Sequence, residues 1–192
     1  MKKEVSVVIT DLDNTLFDWV EMWYCSFKVM LDELVRLSGI EQRVLETEIQ
    51  RLFQQYGTSE YPFVIQELPL LLEKHSREDL TELYRPAMEA YCKARKASLH
   101  LYPGVLETLQ VLRNRGCMII AFTESMGFYT IERVNTLGLD SILDFLFSPP
   151  DHALPPNVLY TQAHPCYNKP RSLRNVVHRF TPEGERKPNA VI

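Results

Sequence analysis

The first cluster of apolar positions, Val5 to Thr10, is short and rich in β-branched residues, and it ends abruptly in Asp11 and Asp13. Such a run suits a buried parallel strand better than a half-exposed one. Behind it the period changes to that of a helix. Asp18 with Glu21 offers a capping box, and Met22, Trp23, Phe27, Met30, Leu31, Leu34 and Val35 recur at helical spacing until Gly39. Leu45, Ile49, Leu52, Phe53 and Tyr56 predict a second helix closed by Gly57. Pro62 and Pro69 divide the next apolar stretch, Phe63 to Leu72, and Ser76 with Asp79 starts a helix carrying Leu80, Leu83, Tyr84 and Tyr91. Residues 17–100 therefore read as several helices and no strand.

The pattern changes again at Tyr102-Pro103-Gly104, a turn leading into a helix with Val105, Leu106, Leu109 and Leu112 that Gly116 closes. Cys117 to Thr123 predicts a second buried strand, Phe128 to Leu137 a helix closed by Gly138, and Phe145 to Ser148 a short third strand. Strand, helix, strand, helix, strand predicts an α/β layer with a parallel sheet, interrupted after its first strand by an all-helical insert. Eight of the twelve prolines lie between Pro149 and Pro188, so that segment reads as a long loop with at most one short helix around Leu173 to His178.

Composition narrows the classes. The chain has 192 residues, 45% hydrophobic and 24% charged, which suits a globular protein with one core or a core carrying an insert. A formal net charge of −4 provides no positive field for nucleic acid or anionic membrane. No run reaches the roughly 18 apolar residues that would span a bilayer. The cysteines, Cys25, Cys92, Cys117 and Cys166, are widely spaced and form no Cys-x-x-Cys pair. Neither a zinc site nor a disulfide framework is expected, and a reducing, cytoplasmic setting is the default. His152, His164, Cys166 and His178 match no metal-binding spacing and read as ordinary loop residues.

The chemistry is concentrated in Asp11-Leu12-Asp13-Asn14-Thr15 at the end of the first strand. In open α/β sheets ligands bind just beyond the carboxyl ends of strands, which is where these side chains fall. Asp11 can attack phosphorus to form an aspartyl-phosphate, so that one difficult hydrolysis becomes two displacements. Asp13 can protonate the departing alkoxide and then deprotonate the attacking water. Two close carboxylates also call for a cation, and Mg²⁺, a hard ion with oxygen ligands, is the natural one. A calcium loop is excluded, because it would need Gly at residue 16 and Glu at residue 22, where the chain has Leu16 and Met22.

Asp11-Leu12-Asp13-Asn14-Thr15-Leu16 resembles the first motif of the haloacid dehalogenase (HAD) superfamily, whose first Asp is the nucleophile and whose second is the acid/base. Ile119-Ile120-Ala121-Phe122-Thr123 resembles the second motif and Lys187-Pro188-Asn189 the third, with Lys169-Pro170 a competing match. The resemblance implies a Rossmann-like parallel core formed by residues 1–16 and 101–192, and a helical cap formed by residues 17–100. It implies Asp11 and Asp13 as catalytic residues, with Mg²⁺ on the Asp11 carboxylate and the Asp13 backbone carbonyl. Thr15, Thr123, the backbone N–H groups of Glu124 and Ser125, and Lys187 would meet the phosphoryl group. Asp13 argues against dehalogenation, since a halide leaves without a proton. The family's fourth motif, acidic residues after a further strand, has no counterpart before Ile192. The chain is therefore expected to be a fragment with its core incomplete at the C-terminal end, and Val5 to Thr10 an open edge.

The expected activity is that of a Mg²⁺-dependent phosphatase for a small phosphorylated metabolite, with the cap as a lid. A phosphotransferase or mutase shares the nucleophile and differs in acceptor. A HAD-like binding module without activity is the reading from a different class. The aromatic residues Trp19, Trp23, Tyr24 and Phe27 read as core at helical spacing.

Overall fold

The structure, a computed structural model, describes residues 5–151, 172–182, 184 and 187. Among these residues four parallel strands, β1 (Val7–Thr10), β2 (Met118–Phe122), β3 (Phe145–Ser148) and β4 (Val177–Phe180), lie side by side in chain order. Their registers are Val8 on Ile119, Ala121 on Leu146 and Leu146 on His178. Helices α1 (Trp19–Ser38), α2 (Gln42–Tyr56), α3 (Val64–Glu67), α4 (Pro69–Leu72), α5 (Arg77–Leu83) and α6 (Arg85–Ser98) follow β1, α7 (Val105–Asn114) precedes β2, and α8 (Gly127–Thr136) follows it. This is the α/β architecture with the helical insert after the first strand.

Consecutive strand order has a physical consequence. Right-handed crossovers that step the same way across a sheet place their helices on the same face. Accordingly Ile119, Ala121 and Leu146 are fully buried, whereas Val7, Ile9, Met118 and Val177 on the opposite face are 45%, 65%, 42% and 47% exposed. The expectation of a buried first strand is thus corrected, since one face of β1 is exposed, whereas its expected place at an open edge is met among the described residues.

The described chain divides into two compact units, residues 5–20, 99–151 and 172 onward in one and Glu21–Ser98 in the other. The second unit has its own core, built from Leu34, Leu45, Ile49, Phe63, Leu68 and Leu80 among others. Inside it Trp23 stacks on Phe27 at 5.1 Å between ring centres and donates its indole N–H to Ser59 O at 2.8 Å. Ser76 and Asp79 start α5 as expected, and they do so through a capping box, and Gly57 ends α2 at φ 64°. The single helix expected through Tyr91 is instead two, α5 and α6. Pro86 has no N–H to continue the first helix and fits the opening turn of a new one. Cys25 and Cys117 are free, but Cys92 is disulfide-bonded, against the expectation of no disulfide. Separation along the chain does not report on it, because the bond requires Cβ atoms about 4 Å apart in space.

The helix expected around Leu173 to His178 is also corrected. Residues Val177–Phe180 form β4, paired with β3 through Phe145 and Val177 at one end and Ser148 and Phe180 at the other. The turn before it hangs on one carboxylate: Asp140 accepts the N–H groups of Arg174 at 3.1 Å, Asn175 at 3.3 Å and Val176 at 3.5 Å. A turn fixed this way, followed by a β-branched residue beside an unpaired strand edge, outweighs a weak local helical preference. Replacing Asp140 by Ala should lower stability by about 1–2 kcal/mol, since several N–H groups lose a charged acceptor. Urea unfolding reads the loss, and hydrogen exchange should quicken first at Val177–Phe180.

His178 is half-buried, with Nε2 2.8 Å from the Ser148 hydroxyl oxygen. Burial lowers its pKa below the ordinary 6.5, opposed in part by Asp151. The folded state therefore resists protonation more than the unfolded chain does. The stability this brings is complete above the unfolded pKa of 6.5 and is lost as pH falls toward the lower folded value. Denaturant midpoints should decline as pH falls below about 7 in the parent and less steeply in His178→Gln. Parallel profiles would exclude His178 as the source.

Candidate active site

The loop after β1 is built by alternation. Leu12, Leu16 and Phe17 are buried, at 1%, 6% and 0% exposure, so Asp11 and Asp13 on either side of Leu12 face away from the core. The turn closes through the N–H groups of Thr15 and Leu16, both donated to Leu12 O, at 3.2 and 2.9 Å. Asn14 takes φ 55°, a left-handed value that asparagine tolerates, and its Oδ1 accepts the N–H groups of Trp19 at 3.0 Å and Val20 at 3.3 Å. One residue thus makes the turn and caps α1. Phe17 bridges to Leu101, and Tyr102 donates its N–H to Leu16 O at 2.9 Å, which ties the loop to the returning chain.

Each carboxylate has a different cation. Lys187 Nζ lies 2.6 Å from Asp11 Oδ1 and 4.9 Å from the Phe122 ring centre. The Lys187 backbone N–H donates to Glu124 Oε1 at 2.8 Å, so the residue after Thr123 helps to hold this lysine. Both partners of the Asp11 pair are about a third exposed, with side-chain values of 39% and 31%. Asp13 is held more tightly. Its Oδ2 accepts the hydroxyls of Thr123 and Ser125, both at 2.8 Å, and its Oδ1 accepts Arg133 Nη1 at 2.7 Å. The same Nη1 lies 2.9 Å from Ser125 Oγ.

The structure therefore brings Asp11, Asp13, Thr123, Glu124, Ser125 and Lys187 to the carboxyl ends of β1 and β2, the side where open α/β sheets bind ligands. Thr15 is exposed in the same turn, with only its backbone N–H engaged in the bonds given above. Two contacts differ from the sequence reading. The Thr123 hydroxyl points to Asp13, and the Ser125 N–H donates to Thr123 Oγ1 at 3.0 Å; both would have to turn to reach a phosphoryl oxygen. Lys169-Pro170, His152, His164 and Cys166 lie outside the described residues.

Arg133 escaped the sequence reading, although a signal was present. The buried positions of α8 are Gly127, Tyr129, Thr130, Arg133 and Val134, so a guanidinium falls within the apolar stripe of an otherwise ordinary amphipathic helix. A charge there is tolerated only with a buried counter-charge. The family resemblance implies a backbone N–H donor at Ser125, whereas the contact to Asp13 is made by its hydroxyl.

Among the described residues no cluster of three His, Cys, Asp or Glu side chains could hold a metal ion. The donors that remain, the Asp11 carboxylate and the Asp13 carbonyl, are hard oxygen ligands. They suit Mg²⁺, which keeps several waters and is commonly bound through one or two carboxylates together with substrate phosphate.

Comparison with known proteins identifies the family. The chain matches the model of the haloacid dehalogenase-like hydrolase family over residues 8–161. A glyceraldehyde 3-phosphate phosphatase from Methanopyrus kandleri is 26% identical over 139 residues, covering 70% of this chain and 58% of the relative. The chain thus spans a little over half the length of that protein. Among solved structures, a Thermotoga maritima protein assigned as a beta-phosphoglucomutase aligns with TM-score 0.46 and 19% identity, over 75% of this chain and 61% of that one. The HAD-hydrolase YfnB from Bacillus subtilis, whose structure was determined with bound magnesium, aligns with TM-score 0.43 and 16% identity, over 76% and 64%. With a family match over most of its length and the first two motif segments meeting at one site, this chain belongs to the haloacid dehalogenase-like hydrolases.

Proposed function

We propose that this chain carries the core of a Mg²⁺-dependent phosphatase for small phosphorylated metabolites, working through an aspartyl-phosphate on Asp11. The observation that supports this most is the unequal treatment of the two carboxylates. Asp11 is open to solvent and faces a lysine ammonium, whereas Asp13 is fixed by three donors. A nucleophile must be reachable and an acid/base must be aimed.

In the first displacement an Asp11 oxygen attacks phosphorus, the ester P–O bond breaks, and the departing alkoxide oxygen takes a proton from Asp13. In the second, water attacks the same phosphorus, gives its proton to Asp13, and the bond from phosphorus to Asp11 breaks to release inorganic phosphate. Lys187 neutralises part of the charge gathered by Asp11 and the phosphoryl oxygens. Thr123 and the N–H groups of Glu124 and Ser125 are the donors in reach of the same oxygens once they turn toward them. Mg²⁺, held by the Asp11 carboxylate and the Asp13 carbonyl, supplies Lewis-acid stabilisation of the phosphoryl charge when bound. The name of the Methanopyrus relative makes glyceraldehyde 3-phosphate, and triose phosphates generally, the first substrates to try.

Phosphate release from such a panel should require Mg²⁺, stop with a chelator and be abolished in Asp11→Asn. Undiminished turnover by that variant would remove Asp11 from the nucleophile role, and sugar phosphates formed in place of phosphate when an acceptor alcohol is added would indicate a transferase. Lys187→Met should lose about 100-fold in kcat, comparable with removal of one preorganised donor. Its unfolding free energy should change by less than about 1 kcal/mol, because the pair is solvent-screened.

A further inference from the structure

Arg133 carries its charge into the buried face of α8. The residue is 0% exposed, and its Cζ lies 5.8 Å from the Phe17 ring centre and 6.0 Å from that of Tyr129. A guanidinium in such surroundings costs heavily unless it is paired, and Asp13 Oδ1 at 2.7 Å is a carboxylate partner. The guanidinium reaches both motif loops: Nη1 contacts Asp13 of the first and Ser125 Oγ of the second. Ser125 and Thr123 then donate to the other Asp13 oxygen. Both oxygens of one carboxylate are therefore held by α8 and the turn that leads to it from β2.

The donors are not equivalent. A hydroxyl rotates, and the Thr123 hydroxyl is the one that would turn to a phosphoryl oxygen. A guanidinium is planar, permanently charged and here enclosed by two aromatic rings, so it keeps its direction when the hydroxyl leaves.

We propose that Arg133 is a positioning residue for phosphoryl transfer. It fixes the Asp13 carboxyl group in the orientation from which it gives its proton to the leaving oxygen and later takes one from water. This rests on the phosphatase reading above. As the ester P–O bond breaks, its oxygen receives the Asp13 proton, and the carboxylate left behind is the form that Arg133 pairs with. Misaiming Asp13 should therefore penalise esters in proportion to how much their leaving oxygen needs that proton.

The test uses kcat/KM, which reports the steps through phosphoenzyme formation, with Mg²⁺ present. Two esters are compared, a triose or other alkyl phosphate and 4-nitrophenyl phosphate, whose phenolate leaves with little help. Arg133→Met should lose at least about tenfold more on the alkyl ester than on the aryl ester, a fraction of the 10²–10⁴-fold that a general acid contributes. In an Asp13→Asn background the same substitution should cost no further activity on either ester, and Arg133→Lys should recover part of the loss. Equal losses on the two esters, or losses that multiply in the Asp13→Asn background, would make Arg133 a structural staple and overturn the inference. If circular dichroism shows that Arg133→Met does not fold, Ser125→Ala decides. It removes the hydroxyl shared by Arg133 and Asp13, and it should show the same alkyl-selective loss at about threefold. A uniform effect from Ser125→Ala would count against positioning. A parent chain that turns over neither ester would overturn the phosphatase reading itself, and this inference with it.

Discussion

Two carboxylates that leave one strand two residues apart repel each other, and in this chain each is answered by a separate cation. Lys187 reaches Asp11 and Arg133 reaches Asp13, at 2.6 and 2.7 Å. The two pairs differ in solvation. Around the exposed Asp11 pair water screens the attraction, so the lysine is a mobile counter-charge that a phosphoryl group could share. The Arg133 side chain is 1% exposed, and there the same separation is screened far less and the geometry is fixed. The two acids are thus held differently because their cations come from different parts of the chain.

The sheet makes this possible. Pairing β1 with β2 in parallel brings Asp11, just beyond Thr10, beside Thr123, just beyond Phe122. The crossover after β2 sets α8 on the buried face, and one turn of helix from Tyr129 to Arg133 carries the guanidinium back under the loop. Gly127 lets α8 start close to the strand ends: a Cβ there would lie 3.0 Å from His178 Cε1 and Phe180 Cε1 and 3.2 Å from Ser148 Oγ. Buried Leu12 and Leu16 anchor the other side of the site. Each contact is local in space and remote in sequence, with 110 positions between Thr123 and Asp13 and 176 between Lys187 and Asp11.

What the sequence made legible follows the same division. The first three strands and most helices carry their own signals: β-branched runs, an apolar period of 3.6, glycines at φ 64° and 72° after α2 and α8, and the Ser76–Asp79 box. The Asp11-x-Asp13 loop was readable because a strand followed by two acids is unusual chemistry in a small space. β4 was not readable, since its strand form depends on pairing with β3 and on a carboxylate 34 residues away. Nor was the exposure of one face of β1, although the resemblance implied its open edge. Arg133 was written in the sequence as a charge on an apolar stripe, but its partner becomes identifiable only when α8 is packed.

In the proposed reaction Asp11 alone carries the phosphoryl group while Asp13 serves it. The most direct measurement is to react the protein with a phosphate ester and Mg²⁺, quench in acid within milliseconds to seconds, reduce the acyl phosphate with borohydride and map the modified peptide by mass spectrometry. Conversion of residue 11 to homoserine, with Asp13 unmodified, is the predicted result. Modification at Asp13, or substrate turnover with no reducible acyl phosphate at residue 11, would contradict it.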